Sequence, residues 1–269
     1  MSTSNTSIEA FETNEVVYEE EGQVAILTFN RPRVLNAMTF GMYEALYEVC
    51  ERVDSDESIR VLVLKGAGEA AFVTGTDISL FQTFSGPEDV LAYEERIERV
   101  VARLEEVKKP VIAALNGFTV AGGAIIAAVA DLRIATPSLQ FGIPIAHTLG
   151  NCLSIRNYAR LIDLLGPART KELLFTAHLI EADEALASGL VNEIVEEEEL
   201  EERVKQVAEI VASNAPLTLQ VTKEAISRIL AHHRSEVNDD LILKCYMSKD
   251  FKEGVDAFLN KRRPHWQGR

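Results

Sequence analysis

The sequence predicts an α/β fold: a body in which strands and helices alternate, followed by a helical C-terminal region. Short apolar runs rich in Val, Ile and Leu alternate with stretches that carry apolar residues at helical spacing. This pattern is typical of stacked βα units with a largely parallel sheet. From about Pro167 onward the spacing is almost all helical. We therefore expect a polar, flexible tail over residues 1–14, a body over 15–200 and a helical region over 201–269.

The elements of the body follow from these patterns. Two strands pair around the turn Glu20-Glu21-Gly22, and three further strands are short apolar runs. The expected strands are Val16–Tyr18, Val24–Phe29, Val61–Leu64, Val111–Leu115 and Leu132–Ala135. The expected helices are Thr39–Asp54, Val90–Val107 and the short Ala124–Ala130. In the first of these helices, Met42, Leu46 and Val49 recur on one face, as in an amphipathic helix.

The C-terminal part carries helical spacing in five segments and one short strand. The expected helices are Arg169–Thr176, Ala182–Ser188, Leu200–Asn214, Pro216–His232 and Glu236–Leu259. The run Val191–Val195 is short, apolar and β-branched, so we expect a strand there.

Composition excludes several classes of function. The formal net charge of −15 argues against nucleic-acid binding, which needs a basic face. No apolar stretch reaches the ~18 residues of a membrane helix, and residues 1–14 lack a signal-peptide core. The three scattered cysteines fit neither a disulfide framework nor a metal site, which favours a reduced, cytoplasmic setting. No Gly-x-Gly-x-x-Gly turn follows the first strand, so a dinucleotide site is not expected.

Two glycine segments are the strongest functional signal. Residues 71–77 read Ala-Phe-Val-Thr-Gly-Thr-Asp, and residues 116–123 read Asn-Gly-Phe-Thr-Val-Ala-Gly-Gly. Each follows a predicted buried strand, and the second leads into a short apolar helix. Small residues let a ligand approach the backbone, and the first N–H groups of a helix have no internal partner. Two such segments can direct two amides at one carbonyl oxygen, as an oxyanion hole does.

An ordered set of motifs extends this signal over most of the chain. The set comprises Asn30-Arg31-Pro32, Leu35-Asn36-Ala37-Met38, Phe72–Ile78, Asn116-Gly117, Ala121-Gly122-Gly123, Asp131, Gln140-Phe141-Gly142, the Ala-x-x-x-Gly-Leu-Val-Asn pattern within Ala182–Val195, Phe258 and Lys261–Pro264. From about Val16 to Trp266, the sequence resembles the crotonase superfamily, also called the enoyl-CoA hydratase/isomerase family.

The resemblance implies a crotonase-like spiral of ββα turns with C-terminal helices that mediate trimers, often dimers of trimers. It implies an acyl-CoA thioester substrate whose oxygen is held by the amides of Thr76 and Gly122. Coenzyme A enters as part of the substrate, so no separate cofactor is expected. A threonine stands at position 76, where alanine is common in the family.

The resemblance also assigns residues to the coenzyme A moiety. The adenine end would lie against the backbone of Leu35, Ala37, Thr74 and Ile78. The phosphates would face Arg33 and, from a neighbouring subunit, Lys261, with Phe258 near the adenine. Asp77 belongs to the same motif, and its alternative role is to cap the helix that follows. For Arg33 and Lys261 the alternative is simple surface solubility.

The chain departs from the family at the acid positions. Hydratases of this family use two glutamates, because a water must be both deprotonated and delivered. Here the first position holds Ile125, and the second holds Ile145, or Ala146 if the loop is one residue longer. The position of the dienoyl isomerase aspartate falls on Leu153 or Ser154. Standard two-glutamate hydration is therefore not expected.

The nearest remaining proton carrier is His147, since imidazole titrates near neutrality. The alternative is a loop histidine that faces solvent or a neighbouring subunit. Cys152 as a nucleophile is a weaker candidate, because it has no recognisable basic partner. Tyr43 and Thr119 can line an acyl pocket, although core packing is the more common role for such residues.

These observations predict an acyl-CoA-processing enzyme, a lyase or isomerase, that stabilises a thioester enolate or oxyanion with two backbone amides. A thioester hydrolase fits the same residues. A non-catalytic acyl-CoA-binding or assembly subunit is the alternative from another class, favoured by the two aliphatic residues at the acid positions. Neither nucleic acid nor a membrane is expected as a partner.

Overall fold

The computed structural model describes residues 9–10, 14–231 and 239–268, and they form two sheets surrounded by helices. The strands are β1 (Glu9–Ala10), β2 (Val16–Glu21), β3 (Val24–Phe29), β4 (Val61–Gly66), β5 (Ala71–Val73), β6 (Val111–Leu115), β7 (Phe118–Val120), β8 (Leu132–Ala135), β9 (Gln140–Gly142), β10 (Ile180–Glu181) and β11 (Glu193–Ile194). The α-helices are α1 (Phe40–Ser55), α2 (Pro87–Glu105), α3 (Gly122–Val129), α4 (Ile145–Thr148), α5 (Ile155–Thr176), α6 (Ala182–Ala187), α7 (Leu200–Ser213), α8 (Pro216–Ala231), α9 (Asp239–Tyr246) and α10 (Lys249–Leu259). Short 3-10 helices cover Pro32–Val34, Ile78–Thr83 and Glu197–Glu199.

The two sheets are built by a repeated ββα turn. The larger sheet has the order β1-β2-β3-β4-β6-β8-β11, and the smaller has the order β10-β9-β7-β5. Strands β3, β4, β6, β8 and β11 run parallel, as do β5, β7 and β9. The chain passes from a strand of the larger sheet to a strand of the smaller one and then into a helix, as in β4-β5-α2 and β6-β7-α3. The predicted α/β class with a helical C-terminal region is confirmed.

The core occupies both sides of the larger sheet. One side packs against α1, α2 and α3, whose buried faces join a single apolar cluster with the strands. The other side is covered by α7, where Leu200, Val204 and Ala208 pack against Val61 and Ile112. This burial explains the near-continuous apolar runs of β4 and β6, because parallel strands covered on both faces lack alternation.

Several predicted elements differ from the observed ones. Strands β3, β6 and β8 have the predicted bounds, but β5, β7 and β9 were not predicted. Helix α5 begins at Ile155 rather than at Arg169, and non-helical backbone at Gly166 (φ 74°) interrupts it before Pro167.

The helix predicted over Glu236–Leu259 is wrong as one element. It consists of α9 and α10, with a break at which the Ser248 hydroxyl accepts from the Phe251 amide at 3.0 Å and caps α10. Residues 232–238, including the predicted helix end at His232 and start at Glu236, lie outside the described residues.

The predicted tail falls mostly outside the described residues. Residues 1–8 and 11–13 are not described, whereas Glu9–Ala10 forms β1, antiparallel to β2. The boundary between 200 and 201 stays a prediction. Across 9–10, 14–231 and 239–268, none of the helices has both the length and the apolarity of a membrane span.

Candidate functional site

The fold brings the two glycine segments into contact. Strands β5 and β7 are neighbours in the smaller sheet, so the turns at their ends lie side by side. A Cβ built on Gly75 (φ 92°) would lie 2.8 Å from the Cβ of Ala121 and 3.3 Å from the nitrogen of Gly122. Neither the backbone angle nor the space admits a side chain at position 75.

Two amides at this contact have no acceptor. The backbone of Met38 bridges to the carbonyl of Gly75 (2.7 Å) and the amide of Asp77 (2.9 Å), which leaves the Thr76 amide between them without a partner. Gly122 is the first residue of α3, where an N–H has no acceptor within the helix. Among the described residues, neither amide donates to any oxygen.

The two amides are close and accessible. The position of a Cβ on Gly122 lies 3.4 Å from the Cα of Gly75 and 3.8 Å from the nitrogen of Thr76. Both Thr76 and Gly122 are partly exposed. Both residues thus lie at the point where the sequence predicts an oxyanion hole, hereafter called the hole.

The segment before Gly122 is held in an uncommon conformation. Ala121 has φ 50° and ψ −120°, and its amide donates to the carbonyl of Gly142 at 2.9 Å. A Cβ built on Gly123 would overlap the carbonyl of Val73, so the strand and the helix meet without side chains between them. Strained backbone of this kind persists when packing over-determines it, and it is common at functional sites.

A chain of three hydroxyls backs the amides. The Thr76 hydroxyl lies 2.9 Å from the hydroxyl of Tyr43 and 2.8 Å from that of Tyr93. A Cβ on Gly122 would lie 2.9 Å from the Tyr43 oxygen, so that hydroxyl borders the hole. Burial raises the pKa of Tyr43 to about 12 and also raises the pKa of Tyr93. Both phenols therefore stay protonated at neutral pH.

The residues assigned to coenzyme A form a second cluster beside the hole. The Thr74 hydroxyl donates to the carbonyl of Leu35 at 2.9 Å, which ties the first glycine segment to the loop after β3. Arg31 donates to the carbonyl of Ala37 (2.6 Å) and to the carboxylate of Asp77 (3.1 Å). The structure thus brings four of the predicted residues together: Leu35, Ala37, Thr74 and Asp77.

Asp77 caps the 3-10 helix that begins at Ile78. Its carboxylate accepts from the Ser79 amide at 3.2 Å and from the Ser79 hydroxyl at 2.7 Å. Partial burial works against ionisation, but the hydrogen bonds from Ser79 and Arg31 prevail and hold the pKa of Asp77 below its usual value. The side chain of Asp77 is therefore engaged structurally.

Three further predicted residues lie on the surface. Arg33 is exposed on the 3-10 helix that precedes Leu35. Phe258, half exposed, is near the end of α10, and Lys261 follows it. Helix α10 packs against the 3-10 helix of Ile78, with the rings of Phe81 and Phe251 at 5.7 Å.

The residues first assigned to the family's two glutamate positions are aliphatic and buried. Ile125 is 3 % exposed and Ile145 is 7 % exposed, and both belong to the main core cluster. Ala146 is exposed, and the hydroxyl of Ser154 caps α5 by accepting from the Asn157 amide at 3.2 Å. No carboxylate occupies any of these positions.

The side chain of His147 is exposed in the last turn of α4. This short helix follows β9, whose Gly142 carbonyl holds the amide of Ala121. The thiol of Cys152 donates to the carbonyl of Leu241 at 3.5 Å, and burial raises its pKa. A thiol with a raised pKa is a poor nucleophile.

Sequence reasoning missed one carboxyl, that of Glu94 on α2. It accepts from the hydroxyl of Tyr246 at 2.6 Å, and the Asn151 amide donates to the same hydroxyl at 3.1 Å. Burial, with a smaller contribution from Glu98, raises the pKa of Glu94 to about 7. The sequence does contain a signal for a buried carboxyl here, because Glu94 interrupts the apolar stripe of α2, three residues before Ile97.

A cavity of about 480 Å³ lies beyond this cluster, between the 3-10 helix of Ile78 and α10. Its apolar walls come from Phe81, Phe84, Tyr246 and Phe251. Thr76 and Gly122 do not line it. Tyr93 lies between the hole and this cavity, because its hydroxyl contacts Thr76 while the centroid of its ring is 5.2 Å from that of Phe81.

Comparison with known proteins finds a family model and relatives that match most of the chain. The family model described as enoyl-CoA hydratase/isomerase matches residues 19–269. The short-chain-enoyl-CoA hydratase of Clostridium acetobutylicum is 37% identical over 258 residues, covering 94% of this chain and 97% of the relative. The crotonyl-CoA hydratase of Syntrophomonas wolfei is 34% identical over 254 residues, covering 93% and 97%.

Solved structures give the same result. A methylmalonyl-CoA decarboxylase in complex with 2-nitronate-propionyl-CoA superposes with a TM-score of 0.85 at 30% identity, covering 95% of this chain and 99% of that chain. An enoyl-CoA hydratase/carnithine racemase from Magnetospirillum magneticum gives 0.78 at 32% identity, covering 96% and 97%. The predicted ββα spiral is confirmed by these neighbours.

Proposed function

The chain belongs to the enoyl-CoA hydratase/isomerase family, and we propose that it processes acyl-CoA thioesters by stabilising an enolate or oxyanion with the amides of Thr76 and Gly122. One observation carries this proposal. Two unpaired amides from separate segments lie beside each other at a partly exposed point, with 3.8 Å between the Cβ position of Gly122 and the Thr76 nitrogen. A single donor of this kind is worth about 10²–10³ in turnover.

Coenzyme A would extend from this hole along the second cluster. The backbone of Leu35, Ala37, Thr74 and Ile78 would contact the adenine end, with Arg33 at the phosphates. In a homotrimer, or a dimer of trimers, Phe258 and Lys261 of a neighbouring subunit would complete the site. Their exposure in the single chain supports this arrangement. The cytoplasm stays the expected compartment, from the cysteine pattern.

For the proton we propose His147. The segment that carries it starts from Gly142, whose carbonyl anchors Ala121 next to the hole. His147→Ala should then lower kcat at least tenfold, because the proton on carbon would have no donor. His147→Gln is the matched polar control. A tenfold loss in Glu94→Gln, with His147→Ala unchanged, would instead assign the proton to the buried carboxyl.

A specific observation favours one reaction type, the decarboxylation of a malonyl-type CoA thioester. Loss of CO₂ from the α-carbon leaves its bonding electron pair on the thioester as an enolate, so no base has to remove an α-proton. Ile125 and Ile145 provide no carboxylate, whereas the two amides remain. The structural neighbour crystallised with a nitronate analogue is itself a decarboxylase. The product then needs only one proton on carbon.

The test is a panel of CoA thioesters, enoyl and malonyl types, with products identified by mass spectrometry. Gly122→Pro removes the amide hydrogen at the first helical position, where proline is tolerated. Gly122→Ala is the matched control that adds a Cβ and keeps the N–H. We expect the proline variant to lose at least about 100-fold in kcat relative to the alanine variant.

Other outcomes would overturn the proposal in defined ways. Equal turnover in the proline and alanine variants would remove the amide from the mechanism. Micromolar CoA-ester binding with no product from any thioester would identify a non-catalytic binding subunit. Release of free coenzyme A as the sole reaction would identify a thioester hydrolase, which uses the same hole for a tetrahedral anion.

A further inference from the structure

The chain of hydroxyls behind the hole has one hydrogen more than it uses. Tyr43, Thr76 and Tyr93 each carry one hydroxyl hydrogen, and two contacts, of 2.9 and 2.8 Å, join the three oxygens. Two of the three hydrogens are therefore engaged within the chain, and the third must point out of it. Within the described ranges, neither tyrosine hydroxyl has another hydrogen-bond partner.

The surroundings of the two ends decide where the spare hydrogen points. The ring of Tyr93 is enclosed by other aromatic rings, with centroids 5.2 Å from Phe81, 5.6 Å from Phe84 and 6.4 Å from Tyr246. Phe81 and Phe84 carry no hydrogen-bond acceptor, and the Tyr246 hydroxyl is already engaged by Asn151 and Glu94. The Tyr43 hydroxyl instead lies 2.9 Å from the Cβ position of Gly122, beside the Thr76 amide.

One donor order satisfies all three groups. Tyr93 donates to Thr76, Thr76 donates to Tyr43, and Tyr43 donates outward, at the place where the ligand oxygen would lie. Hydrogen bonds in such a series polarise one another in the same direction. The order also gives a use to the threonine at position 76, because an alanine there would leave both tyrosine hydroxyls unpaired.

We propose that the Tyr43 hydroxyl is a third donor to the thioester oxygen, beside the amides of Thr76 and Gly122, and that Thr76 and Tyr93 orient it. This inference rests on the function proposed above. Tyr43 would touch the reacting oxygen and is therefore a catalytic residue, whereas the Thr76 hydroxyl and Tyr93 are positioning groups. Since only 1 % of the Tyr43 surface is exposed, the donor acts where water competes little.

The site makes Tyr43 suited to donate rather than to ionise. Burial raises its pKa to about 12, so the phenol keeps its proton at neutral pH. Gly122 is part of the same design, since any side chain at that position would crowd the hydroxyl. Gly122 thus provides the amide donor and also leaves room for the Tyr43 hydroxyl.

The test compares binding of a stable anion with binding of its neutral counterpart. The probe is 2-nitronate-propionyl-CoA, and the neutral comparator is propionyl-CoA. Tyr43→Phe should weaken nitronate binding at least about tenfold, the usual effect of one hydrogen bond to a charged group, and change propionyl-CoA binding less than threefold. Tyr93→Phe is the matched comparison: it leaves Tyr43 paired with Thr76 and should weaken nitronate binding by less than Tyr43→Phe does.

A second pair of variants tests the inference even if the Tyr43→Phe protein folds poorly. Thr76→Ser keeps the middle hydroxyl and should keep nitronate affinity, whereas Thr76→Ala should lose about threefold or more because Tyr43 is no longer oriented. Equal nitronate affinity in the wild type and Tyr43→Phe would overturn the inference. Equal losses in Tyr43→Phe and Tyr93→Phe would also overturn it.

The same measurement separates this inference from the proposed function. If Gly122→Pro weakens the nitronate complex and Tyr43→Phe does not, the two-amide hole stands and the third donor is wrong. If the wild-type protein binds neither thioester, or if Gly122→Pro binds the nitronate as tightly as Gly122→Ala, the proposed function fails and the inference fails with it.

Discussion

The two ends of the candidate site use different parts of the polypeptide. One end has the main-chain amides of Thr76 and Gly122, which have no acceptor among the described residues and are held by glycine contacts such as that of Gly123 with Val73. At the other end, where hydratases of the family carry glutamates, the chain has the aliphatic side chains of Ile125 and Ile145. The chemistry of the first end depends on backbone geometry, whereas that of the second end depends only on which side chains are present.

This difference explains which chemistry a fold can keep and which it can lose. A backbone donor persists through changes of its own side chain, because the N–H remains unless proline replaces the residue. A carboxylate disappears with one substitution. In the proposed function, enolate stabilisation therefore depends on the durable part of the architecture, and proton transfer depends on the variable part.

The largest effect should come from breaking the backbone end. Gly123→Ala places a methyl group onto the carbonyl of Val73, and neither backbone can withdraw without disturbing β5 or α3. We expect a loss of about 4 kcal/mol or more in the free energy of unfolding, measured by denaturant titration. Gly86→Ala is the control, since a Cβ there meets nothing within 4 Å, and it should cost less than about 1 kcal/mol.

Truncating the aliphatic end should have a smaller effect. Ile125 is 3 % exposed within the main core, so Ile125→Ala should lower the unfolding free energy by about 3 kcal/mol through lost burial and a cavity. Ile125→Val should cost about 1 kcal/mol. Costs below about 0.5 kcal/mol for both would show that this position is not packed, and would weaken the contrast between the two ends.

The buried carboxyl of Glu94 should make the stability of the protein depend on pH. Because the pKa of Glu94 is about 7 in the folded protein, above its ordinary 4.5, folding favours the protonated form. Its contribution is complete below about pH 4.5, declines as pH rises to about 7, and then stays constant. Glu94→Gln should therefore be about 3 kcal/mol more stable than wild type at pH 8 and about equal at pH 4. A gain that does not depend on pH would contradict this assignment.

The smallest expected effect on stability concerns Ile145 and Ala146, and it tests which of the two is packed in the core. Ile145 is buried and Ala146 is exposed, although sequence alone left both open for the second acid position. Ile145→Val should cost about 1 kcal/mol, and Ala146→Ser should change stability by less than about 0.5 kcal/mol. Thermal melts of the two single variants decide between them. A larger loss of stability in Ala146→Ser than in Ile145→Val would instead place Ala146 in the core.

The sequence was sufficient for long elements such as α1 and α2, although it missed the first part of α5, and for the two glycine segments that the fold brings into contact. Strands such as β6 are recognisable as continuous apolar runs because both of their faces are buried. The glycines of the hole are recognisable by their spacing in the sequence. Strands β5, β7 and β9 have three residues each, too few for any periodicity, and pairing with neighbouring strands defines them.

The hydroxyl chain could not be predicted for a different reason. Tyr43 and Tyr93 come from α1 and α2, and only the packing of those helices brings their oxygens to Thr76. Either tyrosine alone looks like an ordinary core residue. Glu94 was within reach of sequence analysis, because a charge inside an apolar stripe is a recognisable exception.

The C-terminal helices have a consequence for the order in which the protein matures during synthesis. Tyr246 holds the carboxyl of Glu94, and Trp266 closes over Gly150. These residues leave the ribosome roughly 120 residues after the hole segments, about ten seconds later at ordinary translation speeds. Until then, the aromatic side of the nascent body is uncovered and open to chaperones. The interval should therefore be the period in which a growing chain is most prone to aggregate.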